Sequence, residues 1–105
     1  MQPFDLFITH LSWGEDGKYR PVLVYVIDAD EVGIYQITTQ YGSKSEYVRA
    51  KYFEIKDWAE AGLDRLSYVD TGTLIDISIA QLDGKTPIGR LSEADKQRLL
   101  DFLSH

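Results

Sequence analysis

Apolar and polar positions alternate along most of this chain, and the places where the alternation fills in or breaks mark its elements. Phe4, Leu6 and Ile8 alternate with Asp5, Phe7 and Thr9, which predicts a first strand over residues 4–9. From Pro21 to Ile27 the run is apolar on both sides of the pleat, as in a central strand covered on both faces, and predicts a second strand over 19–27. Pro21 fits near the start of such a strand or on an edge, where its missing N–H is harmless. A short polar turn, Asp28 to Glu31, leads to a β-branched run over 32–39, so the second and third strands form a hairpin.

The second half is more broken. Residues 40–45 are a polar loop, and 46–55, with Tyr47, Tyr52 and Phe53, suit a fourth strand. Asp57 and Glu60 have the spacing of a capping box, and Gly62 stands where a helical turn closes, with Trp58 placed to plug the barrel end. Short strands are expected over 67–70 and 73–79 around an Asp70-Thr71-Gly72 turn. In the latter, Ile75, Ile77 and Ile79 alternate with Leu74, Asp76 and Ser78. Ser92 caps a terminal helix with Asp95 at N3 and an apolar stripe of Leu99, Leu100 and Leu103. Short strands, tight turns and a terminal helix make a mainly β domain, a small and partly open barrel.

Composition narrows the class. A chain of 105 residues suits one domain over 1–105, and without cysteine it has neither disulfide nor thiolate metal site. The absence of a signal-like N-terminus and of any long apolar run gives the expectation of a soluble, unprocessed protein that suits a reducing cytoplasm and has no membrane partner. The net charge of −6 argues against broad nucleic-acid binding. Its distribution is uneven: residues 1–43 carry 2 basic and 6 acidic side chains, 44–56 carry 4 and 2, and 57–105 carry 5 and 9. The middle stretch, with Lys44, Arg49, Lys51 and Lys56, is the net-positive one, so an anionic ligand would bind locally.

Candidate chemistry centres on Arg20. A guanidinium held at the mouth of a buried strand clamps phosphate or carboxylate, or simply caps the strand in solvent. The hairpin returns Thr38 and Thr39 towards it. No glycine-rich phosphate loop, His-Glu-x-x-His motif or nucleophile elbow is present, and His10 lacks the orienting partners of a catalytic histidine. No metal or cofactor is implied. Of the tyrosines, Tyr25, Tyr35 and Tyr52 lie inside expected strands and read as structural. Trp13, Tyr19 and Tyr41 lie in or beside loops around the Arg20 pocket and suit base stacking or a structural role equally.

Asp5 in the first strand, a Gly-containing loop, Arg20-Pro21 before an apolar strand, Ile37-Thr38, Ala61-Gly62-Leu63, Ser67-Tyr68-Val69 and Ile88-Gly89-Arg90-Leu91-Ser92 together resemble the MazF/PemK family of bacterial toxin–antitoxin toxins. The family commonly has Gly before the first-strand Asp, where Phe4 stands here. The resemblance spans nearly the whole chain and implies an SH3-like barrel of the MazF/PemK/CcdB kind with a short helix and a C-terminal helix. It further implies a homodimer, a cognate antitoxin partner and metal-independent, sequence-selective cleavage of single-stranded messenger RNA.

Carried over, Arg20 and Thr38 are the active-site pair and Glu15 or Asp16 the loop acid. RNA contacts are then expected from Trp13, Lys18 and Tyr19 on one side, and from Thr39, Gln40, Tyr41, Lys44 and Arg49 on the other. In such a site Arg20 stabilises charge on the phosphate oxygens during attack by the ribose 2′-OH, and Thr38 hydrogen-bonds the phosphate. The base is Glu15, Asp16 or a water held by Thr38, because a guanidinium is too weak an acid to serve. The other class left open is an inactive barrel whose groove receives a partner protein.

Overall fold

Two hairpins in succession build the centre of the molecule. The computed structural model describes residues 1–13 and 16–105, except for the side chain of Trp13. Strand β1 (Asp5–Trp13) pairs antiparallel with β2 (Asp16–Ile27) from Leu6↔Leu23 to Trp13↔Asp16. The first strand is thus longer than its alternation implies, and Trp13 belongs to it rather than to a loop. Strand β2 pairs with β3 (Glu31–Thr38) through a turn closed by the Asp28 N–H donating to the Glu31 carbonyl at 2.9 Å.

The segment 46–55 is not one strand. It divides into a one-turn helix, α1 (Glu46–Arg49), and β4 (Tyr52–Ile55). Ser45 starts the helix, its hydroxyl accepting the Val48 N–H at 3.3 Å, and this local cap outweighs the strand propensity of Tyr47 and Val48. The expected turn at Asp70–Gly72 lies inside one long strand, β5 (Ser67–Ser78). There residues 71–74 bulge out opposite the single residue Tyr35 of β3, between the pairs Gln36↔Asp70 and Ile34↔Ile75. A 3₁₀ turn (Ile79–Gln81), the short β6 (Gly89–Arg90) and α2 (Glu93–Leu103) complete the chain. Among the described residues, six strands form one antiparallel sheet in the order β4-β5-β3-β2-β1-β6.

Side-chain alternation sorts the apolar residues onto two faces. Leu6, Leu23, Tyr35, Ile37, Phe53 and Val69 pack in one cluster, which α2 covers with Leu99, Leu100 and Leu103. Phe7, Val22, Val24, Val32 and Ile34 pack in another with Ile77 and Leu82. Val22, Leu23 and Val24 are fully buried, so the second strand is covered on both sides, as its sequence implies. Each such side chain stabilises the fold by roughly 1.5–3 kcal/mol. The bulge in β5 explains how Val69 and Ile77, equal in parity, reach opposite clusters. With the second bulge, at Tyr25 between Val24 and Val26, it curls the sheet.

Several motif residues have structural work. Asp5, buried at one end of the chain, accepts from Arg90 Nη1 at 3.0 Å at the other and is its register partner. Gly62 has a φ of +90° and closes the turn after Asp57; a Cβ on it would lie 2.1 Å from the Ile88 carbonyl oxygen. A Cβ on Gly89 would lie equally close to the Ala61 carbonyl oxygen, so glycine at both positions lets two backbones cross. The expected Asp57–Glu60 capping box is replaced by a longer-range link. Asp95 of α2 accepts the backbone N–H groups of Lys56 and Asp57, while the Ser92 hydroxyl donates to Asp57 at 2.6 Å. Trp58 is half-buried against the first cluster. Among the described residues no helix is long and apolar enough to cross a membrane.

Candidate active site

The cleft begins where the ladder between β2 and β3 stops. Pairing runs to Val22↔Gln36 and no further, because the next residue of β2, Pro21, has no N–H to give. On its other side Pro21 pairs with Ile8, so the proline sits in a central strand but next to an opened seam. The register of Val22↔Gln36 and Leu23↔Tyr35, continued two residues, sets Arg20 opposite Thr38. Alternation puts both on the face of Val22, Val24 and Ile34, with buried Thr9 as the partner of Arg20 in β1.

A cleft of about 480 Å³ occupies this opening, and both Arg20 and Thr38 line it. Lys18, Tyr19, Thr39 and Gln40, all RNA-contact candidates from the sequence, line it too. Arg20 is half-buried, its guanidinium held on a paired strand. The Thr38 oxygen accepts the Gln40 N–H at 3.0 Å. A hydroxyl that accepts one bond still has its own proton to donate, so Thr38 can act as a donor to an anion.

The remaining sequence candidates divide. Glu15 and the Trp13 side chain lie outside the described residues. Asp16 is exposed at the start of β2, four residues from Arg20, a span of about 13 Å along a strand. It does not line the cleft. Lys44 is exposed in the loop after β3, likewise away from the cleft. Tyr41 and Arg49 stand together beside it: the Arg49 guanidinium carbon is 5.7 Å from the Tyr41 ring centroid, and Tyr41 stacks on Tyr68 at 4.4 Å. His10 is exposed, its ring edge-on to Tyr19 at 5.2 Å.

Asp64 is the residue that the sequence did not single out. It lines the cleft with Arg20 and Thr38, strongly exposed, with its carboxylate 3.6 Å from Arg65 Nε. Its position in the segment between Gly62 and β5 can be connected to the Arg20 strand only through the fold, so no local spacing marks it. Among the described residues of the lining, Lys18, Arg20 and Asp64 are charged, two basic and one acidic, on an acidic chain. Buried Ser67 is committed, donating to the Arg65 carbonyl at 2.9 Å.

A larger hollow, about 550 Å³, lies between β4 and α2. Its Arg98 is already bonded to Asp95 at 2.5 Å, which occupies part of the guanidinium. Among the described residues no group of three or more His, Asp or Glu is placed to hold a metal ion. No family model matches the chain, and no curated protein matches it significantly.

Proposed function

We propose that the protein is a metal-independent endoribonuclease that cleaves single-stranded RNA, as the resemblance to MazF/PemK toxins implies. The observation that carries this reading is the shared cleft of Arg20 and Thr38, a cation and a hydroxyl donor brought together on rigid strands from separate parts of the sequence. The curled antiparallel sheet with short helices accords with the SH3-like barrel of that family.

In the reaction the ribose 2′-oxygen forms a bond to the adjacent phosphorus and the bond from phosphorus to the 5′-oxygen breaks. Negative charge grows on the non-bridging oxygens, where the Arg20 fork and the Thr38 hydroxyl stabilise it. The 2′ proton passes to a carboxylate or a water, and the departing 5′-oxygen takes up a proton. Asp64 is the carboxylate among the described lining residues and serves as base in this scheme. The products are a 2′,3′-cyclic phosphate and a 5′-hydroxyl. Mapping the ends left on a long single-stranded RNA tests the reading.

A homodimer, a cognate antitoxin and a cytoplasmic setting belong to the same proposal. The second reading, a barrel that binds a partner peptide, draws on the hollow beside β4, an edge strand with one side unpaired by the sheet.

A further inference from the structure

We propose that Tyr41, Tyr68 and Tyr52 form a stacking platform for the unpaired bases of a single-stranded nucleic acid whose backbone passes the Arg20–Thr38 cleft. The proposal rests on the ribonuclease reading for the path of the strand. The platform itself rests on its own geometry.

The three rings come from the loop after β3, from β4 and from β5, and meet outside both hydrophobic clusters. Tyr41 and Tyr68 are stacked, with centroids 4.4 Å apart and planes inclined by 19°. Tyr52 lies 6.4 Å from Tyr41 and 6.5 Å from Tyr68. All three are half-exposed, unlike Tyr35, which packs in the core. Aromatic side chains left partly in water and gathered on one surface suit the sequence-tolerant stacking that unpaired bases seek.

Register joins the platform to the cleft. Thr38 pairs with Tyr68 across β3 and β5, and Tyr68 pairs in turn with Glu54 of β4. Phe53 and Val69 point into the first cluster, so Tyr52 and Tyr68 point to the opposite face, the face of Arg20 and Thr38. Arg20, Thr38 and Tyr68 therefore follow one another across neighbouring strands, with the open seam between the first two and paired-strand spacing, about 4.8 Å, between the last two.

Charge says which part of the ligand meets which part of the surface. Arg49 lies over the Tyr41 ring, and Lys51 Nζ lies 4.4 Å from the Tyr47 ring centroid and donates to the Tyr47 hydroxyl at 3.1 Å. Both cations belong to the net-positive stretch of the chain and can take phosphates on that flank. Glu54 and Asp70, the register partners of Tyr68 and Tyr52, disfavour a phosphate directly against the rings. Burial first, then these carboxylates, raise the phenol pKa of Tyr68 and Tyr52, with Tyr41 adding to the effect at Tyr68, so the phenols remain neutral. Bases rather than backbone face the tyrosines.

The test is fluorescence anisotropy of a labelled 2′-O-methyl RNA oligonucleotide of mixed sequence with the full chain. Such an oligonucleotide has no 2′-OH to attack, so binding is read apart from cleavage. Tyr41→Leu, which keeps apolar bulk but removes the ring face, is expected to weaken binding by about 5- to 100-fold. Tyr41→Phe is expected to bind like wild type. Tyr68→Leu provides the same comparison if the Tyr41→Leu melting curve shows a damaged fold.

Wild-type binding with no loss in the correctly folded leucine variant overturns the platform, as does absence of wild-type binding. If wild type binds, the leucine variant loses affinity and no RNA with intact 2′-OH groups is cut, the platform stands and the ribonuclease reading falls.

Discussion

Asp95, near the start of the C-terminal helix, accepts the backbone N–H of Asp57 at 2.7 Å. The same carboxylate, almost wholly buried, accepts the Lys56 N–H and is bonded to Arg98. The helix is thereby fixed to the turn after β4 by charge-assisted bonds, and its Leu99 face is set over the first cluster. Removing this carboxylate strands two backbone N–H groups, while Arg98, partly exposed, regains water. Asp95→Ala is expected to lower stability by about 1.5–3 kcal/mol in urea unfolding, more than Glu93→Ala, an exposed change on the same helix.

Phe4 has a φ of 74°, in the left-handed region, while its ring is buried against Tyr25 and below Lys96. A side chain at that φ costs roughly 1–2 kcal/mol, which packing of the ring offsets. Phe4→Ala loses the ring and retains the backbone strain; Phe4→Gly loses the ring and relieves it. Glycine is therefore expected to be the more stable replacement by about 1 kcal/mol, the reverse of the usual order. Equal unfolding midpoints at equal slope would contradict this.

Thr38→Val keeps the β-branched shape and removes the hydroxyl. The fold is expected to persist with a small loss from the Gln40 N–H, while RNA cleavage falls by roughly 10-fold or more through kcat. Asp64→Asn, if Asp64 is the base, lowers cleavage by about 10²-fold or more with little change in melting temperature, since the carboxylate is exposed. Single-turnover rates on one RNA separate the two residues from effects on binding.

Light scattering at micromolar concentration is expected to give the mass of a two-fold dimer, as the family resemblance implies. A monomer across that range would remove the dimer from the proposal.

The doubly apolar run at Pro21–Ile27 and the alternation of Ile75 and Ile77 were legible because each face of a strand leaves its own period-two mark, although Ile79, expected to continue it, starts the 3₁₀ turn. The approach of Arg20 to Thr38 was legible for a related reason: one short turn fixes the register of a hairpin. What the chain did not reveal locally was the helix at Glu46–Arg49, where Ser45 competes with residues of strong strand propensity. Nor did it reveal the bulge at residues 71–74, whose Asp70-Thr71-Gly72 reads equally as a turn. Asp64 and the Tyr41–Tyr68–Tyr52 group depend on segments far apart in sequence. Tyr52 reads as structural within its strand until β5 brings Tyr68 beside it.

The central claim is that the Arg20 cleft cleaves RNA, and the most direct measurement is the cutting of a long single-stranded RNA by wild type and Arg20→Ala in excess EDTA. Wild type is expected to leave 2′,3′-cyclic phosphate and 5′-hydroxyl ends, and the variant to cut at least about 10²-fold more slowly while still unfolding in one cooperative transition. Lysine at the same position should restore only part of the rate, because an ammonium lacks the planar fork. No cutting by wild type across varied RNAs, or equal cutting by Arg20→Ala, would contradict the account.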